Sequence, residues 1–559
     1  MNAYAISLSK YVNTGLMAAF TLLAFAGAVP QGPRLRRFIE ALQQLLLAAF
    51  LANANFTISR FVSGDVRRNL FLLCGMEILF LISFMALYRI VHEMADMFLF
   101  NNICMLLSIG FVIITRIAAY NLDESLSYKQ NEPVKQFVMA SAGLLLMLII
   151  PFFRRFFDGM RHLGIVFGIL GIAVLSGVLL LSVATNGAMI TYTIAGFTFQ
   201  PSEFVKILYI LMLAGMLSGE VSREKGILVT ILCLVHVGVL VLSRDLGSAL
   251  IFFVVYLMML FLATGRWMVL FSGLGLGAAG SVICYMLFEH VRVRVEIWQD
   301  PFSVIDTLGY QIAQSLFAIS YGGLWGAGLT QGAPQNIPFV ESDFIFAAIM
   351  EEMGMIFGIC LILICISCFL RILALSASYS NRFFQLFTYG TAVCYIFQSF
   401  LTIGGETKFI PLTGVTLPLV SYGGSSLLST LILFGIVEMI YILHDERTAR
   451  FMERYEMERQ AGLDPEIGVP EMWKGQSSYA QGAGQGMYRQ ENAAYPDSAG
   501  FQQETGSNGF FGAGQQGSAG SDSGWQNAYF NDPGGLDPDD DMDNFPVNGI
   551  SEDGIFDDP

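Results

Sequence analysis

Residues 289–344 read EHVRVRVEIWQDPFSVIDTLGYQIAQSLFAISYGGLWGAGLTQGAPQNIPFVESDF, a polar segment set between two apolar runs, 268–288 and 344–371, each long enough to cross a bilayer. A connector between two spanning helices needs only a few residues. This one carries a Trp298-Gln299-Asp300-Pro301 turn, an amphipathic stretch, and a glycine-rich passage through Gly322, Gly323, Gly326 and Gly328. Length and punctuation of that kind mark a site rather than a tether.

Outward from this segment the apolar runs continue. They fall near 11–29, 38–57, 69–91, 97–118, 135–153, 164–185, 202–219, 227–243, 247–264, 268–288, 344–371, 384–403 and 418–443, thirteen candidate spans in all. The second contains Glu40, Gln43, Gln44 and two Asn, so it reads either as a span or as an interfacial helix. With 54% hydrophobic residues and a mean hydropathy of +0.59, the 559-residue chain is too apolar for a soluble globular protein. The fold class is an all-α polytopic integral membrane protein.

The net charge of −15 belongs to one end of the chain. Residues 461–559 hold 17 acids against 2 bases, and the remainder carries 28 of each. Beyond about residue 460 the sequence is rich in Gly, Gln, Ser, Asn and Asp and has little periodicity, the composition of a disordered tail. The eight cysteines all lie in apolar runs, where they read as small buried residues rather than a disulfide framework. Cys365 and Cys368 have redox spacing but sit inside a span. No cleavable signal peptide is evident.

Lys/Arg bias gives the orientation. Arg34, Arg36 and Arg37, then Arg154, Arg155 and Arg161, then Arg223 and Lys225, then Arg266, then Arg371 and Arg382 fall on one side, the expected cytoplasmic side together with the tail. Loops 119–134, 187–199, 289–343 and 404–417 fall on the other. Loop 58–68, with Arg60, Arg67 and Arg68, breaks the pattern for the first three spans.

Charge placed where a bilayer penalises it picks out the candidate residues. In Gln200-Pro201-Ser202-Glu203-Phe204-Val205-Lys206, Pro opens a helix and Glu203 and Lys206, three apart, share a face. They read as a structural ion pair or as substrate contacts, and the two roles are compatible. Asp245, in Ser243-Arg244-Asp245-Leu246-Gly247-Ser248, suits a helix cap and also a polar cavity shared with Glu203. Asp343 has the same two readings, with the cap the better fit to its placement. Glu351 and Glu352 lie about two turns deeper, and at least one is expected to face inward.

Asp300 before Pro301 suits a turn, or a carboxylate that accepts a proton from a hydroxyl nucleophile, with Trp298 and a low-dielectric surround to raise its pKa. Asp306 is a competitor. Arg292 and Arg294 are placed to attract an anionic phosphate. Ser421, Gly423 and Gly424, in the run Ser421-Tyr422-Gly423-Gly424-Ser425-Ser426, suit either close helix packing or a backbone cradle for pyrophosphate.

Taken in order, QPSEFVK (200–206), DLGSAL (245–250), WQDPF…GYQIAQS (298–315), GGLWGAGLTQG (322–332), SDFIFAAIMEEMG (342–354) and TKFIPLTGVTLPLVSYGGSS (407–426) resemble the SEDS family of peptidoglycan glycosyltransferases. The resemblance implies a ten-helix core over 96–446 with a large extracytoplasmic loop at 289–343. About three extra transmembrane helices precede it in 1–95, and a cytoplasmic tail fills 447–559. It implies polymerisation of lipid II into glycan strands at the bacterial cytoplasmic membrane: a GlcNAc 4-hydroxyl attacks the anomeric carbon of an undecaprenyl-linked glycan, and undecaprenyl pyrophosphate leaves with inversion.

Asp300 then takes the place of the family's essential carboxylate as general base. Glu203 and Lys206 match charged cavity residues, and Asp245 a functional acid. The implied partners are membrane lipids and a class B penicillin-binding protein; cytoplasmic partners of the tail are open, and no nucleic acid is expected. No His-rich ligand set stands out, so a divalent cation, Mg or Mn, on the leaving group is left open. Two departures are Ser243-Arg244, where Gln-Pro is common before Asp-Leu-Gly, and Glu341-Ser342, where His-Thr is common. The alternatives are a flippase for the same lipid, using the Glu203/Lys206/Asp245 cavity, and a non-catalytic division scaffold.

Overall fold

The computed structural model describes residues 2–27, 29, 32–62, 64–120, 131–181, 192–194, 197–307 and 309–460. The low-complexity tail beyond residue 460 lies outside the described residues. Sixteen α-helices are described: α1 Asn2–Ala26, α2 Pro33–Ser59, α3 Gly64–Val91, α4 Met97–Tyr120, α5 Glu132–Ile149, α6 Arg154–Met160, α7 Gly164–Leu181, α8 Pro201–Leu217, α9 Arg223–Leu242, α10 Leu246–Thr264, α11 Trp267–Leu287, α12 Glu289–Gln299, α13 Tyr310–Gly322, α14 Ile345–Ser378, α15 Arg382–Glu406 and α16 Gly424–Gln460.

Each of the thirteen apolar runs has one of these helices through most of its described residues. Eleven helical segments among the described residues are long and apolar enough to cross a membrane. An antiparallel hairpin, β1 Tyr192–Ile194 and β2 Phe197–Phe199, with Thr193 opposite Thr198, adds two short strands ahead of α8. It is the one departure from an all-helical chain among the described residues, in a loop whose alternating Tyr, Thr, Phe and Ile suit strands.

Burial grades the helices. The span in α4 is buried along its whole length and that in α11 has no buried residue, so α4 lies at the centre of the packing and α11 at its edge. The helices ahead of α4 cover it, and this accounts for the polar α2. Glu40 is buried between Arg36 (3.0 Å) and Arg89 (2.6 Å), and Asn101 of α4 donates to Gln43 at 3.0 Å. Glu40 and the Gln43 side-chain carbonyl oxygen, met by partners inside the protein, make α2 an embedded helix rather than an interfacial one. Arg371 forks onto Asp96 at 2.8 and 3.1 Å at the same end, tying α14 to the start of α4.

α14 is broken. Gly354 has φ 84°, ψ 175°, a conformation open essentially to glycine alone. The backbone groups freed there are met by the glycine-rich passage. Ala327 and Gly328 donate to the carbonyls of Glu351 and Glu352, and Met355 and Ile356 donate to those of Gly323 and Leu324. α16 runs on to Gln460, past the expected tail boundary at 447, carrying an Arg450–Glu446 pair one turn apart.

Candidate active site at the polar end of the bundle

Pro201 opens α8 and puts Glu203 and Lys206 on one inward face. Both are buried and paired, Nζ to Oε2 at 2.6 Å. Lys206 also donates to Gln398 Oε1 of α15 at 2.7 Å, and Ser429 of α16 donates to Glu203 at 3.1 Å. Gln398 hands its Nε2 to the Thr416 carbonyl at 3.0 Å. The pair therefore joins three helices and the 407–423 loop.

Asp245 fills its expected capping role and also reaches the head of α8. Oδ1 caps α10 through the Ser248 N–H at 3.1 Å, while Oδ2 accepts from Ser202 (3.1 Å) and Gln200 (3.3 Å) at the head of α8. Ser202 thus places Asp245 one position from Glu203, in a buried polar cluster where the sequence suggested a cavity.

Asp343 departs from expectation. The N-cap of α14 is Phe344, with no side-chain capping bond of its own. The cap comes from 59 residues away, where Glu406 of α15, fully buried, accepts the Ala347 N–H at 2.7 Å. Burial raises the pKa of Asp343 above the usual aspartate range, and Arg294 acts against that shift.

Arg294, on α12, reaches in from the large polar segment. Its Nη1 donates to the carbonyls of Leu412 (3.2 Å) and Thr413 (3.0 Å). Its charge is felt by Asp245 and Asp343 alike, with no direct ion pair to either among the described residues. Arg292 is exposed and donates to the Met286 carbonyl. Trp298 anchors the end of α12 through Nε1 to the Lys408 carbonyl at 3.1 Å.

That anchor carries Asp300 at the rim, where its Oδ1 accepts the N–H groups of Phe302 (3.2 Å) and Ser303 (3.3 Å). The turn reading is thus correct locally. The expected low-dielectric surround is not what the structure gives, because Asp300 is exposed: Trp298 turns its N–H to the 404–417 loop instead of covering the carboxylate. Asp306 is exposed as well.

Ser421 is spent on internal bonds. Its hydroxyl donates to the Ser342 carbonyl at 2.7 Å and accepts the Leu417 N–H at 2.9 Å, and the neighbouring Tyr422 N–H goes to the Glu341 carbonyl. A Cβ on Gly424 would lie 2.9 Å from Met139 Cε, the movable end of a flexible side chain, so packing alone does not demand a glycine there. Gly423 is held less tightly, 3.3 Å from Thr416 on the same test.

Both deeper acids face inward. Glu352 pairs with Arg116 of α4 at 2.9 Å, each about 1% exposed, and Glu351 accepts the Ala333 N–H at 2.8 Å. Sequence reasoning missed Arg116, Gln398, Ser429 and Glu406. Arg116 and Gln398 were visible as isolated polar residues inside otherwise apolar runs, whereas Ser429 and Glu406 gave no signal beyond their polarity.

Residues 97–446 match the family model described as cell cycle protein FtsW/RodA/SpoVE. A peptidoglycan glycosyltransferase RodA of Mycobacterium tuberculosis is 33% identical over 364 residues, 62% of this chain and 77% of that one. One of Mycobacterium leprae is 31% identical over 417 residues, 71% of this chain and 89% of its own length. Among solved structures, a chain from a study of how a peptidoglycan synthase complex coordinates polymerization and crosslinking superposes with a TM-score of 0.53 at 28% identity. That match covers 63% of this chain and 98% of the other.

Proposed function

Because the chain belongs to the FtsW/RodA/SpoVE family of cell cycle proteins and is a multi-pass membrane peptidoglycan glycosyltransferase, we propose that it polymerises lipid II with Asp300 as general base. The reaction lies at the outer face of the bacterial cytoplasmic membrane, with the tail on the cytoplasmic side. The acceptor O4–H gives its proton to Asp300 as O4 attacks the anomeric carbon. The bond from that carbon to the pyrophosphate oxygen breaks, and undecaprenyl pyrophosphate leaves with its electron pair. A class B penicillin-binding protein is the partner that crosslinks the product.

One observation carries the choice of base over the paired acids: Asp300 is exposed at the rim, whereas Glu203 and Asp245 are buried and held by hydrogen bonds. Glu203 accepts from Lys206 and Ser429, and Asp245 from Ser248, Ser202 and Gln200. A general base needs a lone pair within reach of the hydroxyl it deprotonates. Asp300, exposed at the rim and bonded through one oxygen to backbone amides, meets that need. Lys206, Arg294 and Arg292 supply positive charge along the path of the anionic leaving group.

A divalent cation, Mg or Mn, would come with the pyrophosphate of the substrate and take one or two carboxylates of the chain rather than sit in a cage of protein ligands. Among the described residues no three His, Cys, Asp or Glu side chains come together, and Arg294 supplies the cationic charge near Asp245 and Asp343.

The test is polymerisation of labelled lipid II by the purified full chain, with its transpeptidase partner present, resolved as glycan strands on a gel. Asp300→Ala is expected to lower the rate by about 10²–10⁴. Polymerisation at the parent rate refutes the assignment, and lipid flipping in proteoliposomes that survives the substitution while neither protein polymerises supports a flippase.

A further inference from the structure

The glycine-rich passage that fills the break in α14 is held from outside the family core. Lys10 of α1 donates from Nζ to the Gly326 carbonyl at 3.0 Å. Tyr11 meets Trp325 edge-on, ring centroids 5.2 Å apart, and the Lys10 ammonium lies 5.3 Å from the Tyr11 ring centroid. A second foothold lies past α2. Phe61 sits 5.6 Å from the guanidinium of Arg116, which itself bonds Glu352 and the Gly332 carbonyl. The N-terminal region thus grips Trp325 and Gly326 directly and reaches Gly332 only through Arg116 of the core. Lys10, Tyr11 and Phe61 all precede residue 97, where the family match begins.

The held passage leads straight to the rim. Gly326 has φ 78°, and a Cβ there would lie 2.2 Å from the Glu352 carbonyl, so the passage has no slack against α14. α13 ends at Gly322, four residues before the Lys10 contact. Phe317 of α13 packs on Phe302 at 5.9 Å, and the Phe302 N–H is one of the two that fix the Asp300 carboxylate.

We propose that α1 positions the large polar segment for glycosyl transfer, with Lys10 and Tyr11 as positioning residues that act on Asp300 through residues 322–326 and α13. This rests on the polymerase reading above. An interfacial aromatic girdle accounts for half-exposed Tyr and Trp rings. It does not account for a lysine directed at one backbone carbonyl.

The experiment uses the full chain in lipid nanodiscs. Hydrogen exchange at residues 322–332 is measured without substrate, and kcat and KM for lipid II are measured separately. Lys10→Met removes a charge-assisted bond, and exchange in the passage is expected to speed up about tenfold. In the same variant kcat falls about tenfold while KM stays within about twofold, and Lys10→Arg restores both. Tyr11→Ala, a change on the half-exposed side, is expected to move the same two readouts in the same direction.

Unchanged exchange overturns the clamp. Faster exchange with unchanged kcat overturns the positioning role. A parent protein that does not polymerise overturns the polymerase reading and the catalytic half of this one, while the exchange result still decides whether α1 holds the passage.

Discussion

Removing Lys206 alone is expected to cost more stability than removing the whole pair it belongs to. Its Nζ is bonded to Glu203 at 2.6 Å and to Gln398 at 2.7 Å, and both members of the ion pair are less than a tenth exposed. Lys206→Met leaves a buried carboxylate whose remaining donor is Ser429, a loss of about 3–5 kcal/mol. Glu203→Gln strands the ammonium in the same way and belongs in the same range. In the double variant both charges are gone. Ser429 keeps its bond to the Ser426 carbonyl, and Gln398 keeps Nε2 on Thr416 but loses the donor to Oε1, an orphaned acceptor worth about 1–3 kcal/mol. The double variant should therefore lie closer to the parent than either single one, and these ranges put the coupling energy at about 3–9 kcal/mol. Thermal denaturation of the four proteins in one detergent reads this directly. Losses that simply add would refute the account of an isolated buried pair. A double variant that regains stability without regaining polymerisation would show that the pair also meets substrate.

Gly354→Ala is expected to lower thermal stability by more than the about 1–3 kcal/mol of backbone strain, because its Cβ would also fall 2.2 Å from the Gly326 nitrogen. A melting temperature within a degree of the parent would mean that the break in α14 is not maintained. Glu406→Gln keeps an acceptor for the Ala347 N–H and should be nearly neutral, whereas Glu406→Leu leaves that donor bare at a cost of about 1–3 kcal/mol. Equal melting points for the two variants would exclude the cap. For Asp343 the sign follows from its raised pKa. Its contribution to stability is fully present below the usual aspartate value of 3.8 and is lost as pH rises through the raised folded value. Asp343→Asn should thus flatten the fall in melting temperature above pH 3.8, and an unaltered pH profile would contradict the burial of that carboxyl.

The spans were legible because hydropathy alone decides them: a run such as 247–264 has no alternative in a bilayer, and α10 occupies it. Glu203 and Lys206 were legible for a related reason, since three-residue spacing at the head of an apolar helix leaves them one face and one partner. The same logic covers Asp245, whose cap is local in sequence. Polar α2 was ambiguous because the cost of Glu40 depends on Arg89, 49 residues on, and on what α4 presents.

Distance along the chain also explains the errors. Capping rules read the few residues around a helix start, and at α14 they point to Asp343. The actual acceptor belongs to Glu406, brought up by the packing of α15, and no local pattern marks it. Gly354 sits inside an apolar run that any hydropathy reading treats as one helix, and its break becomes visible only once residues 323–328 are seen to supply the missing hydrogen bonds. Asp343 feels the charge of Arg294, and Arg294 is what ties the large polar segment to Leu412 and Thr413 beside the Asp245 cluster. The start of α14, by contrast, is held by a carboxylate that belongs to none of the functional roles read from the sequence, and losing it would be felt first at the Ala347 N–H.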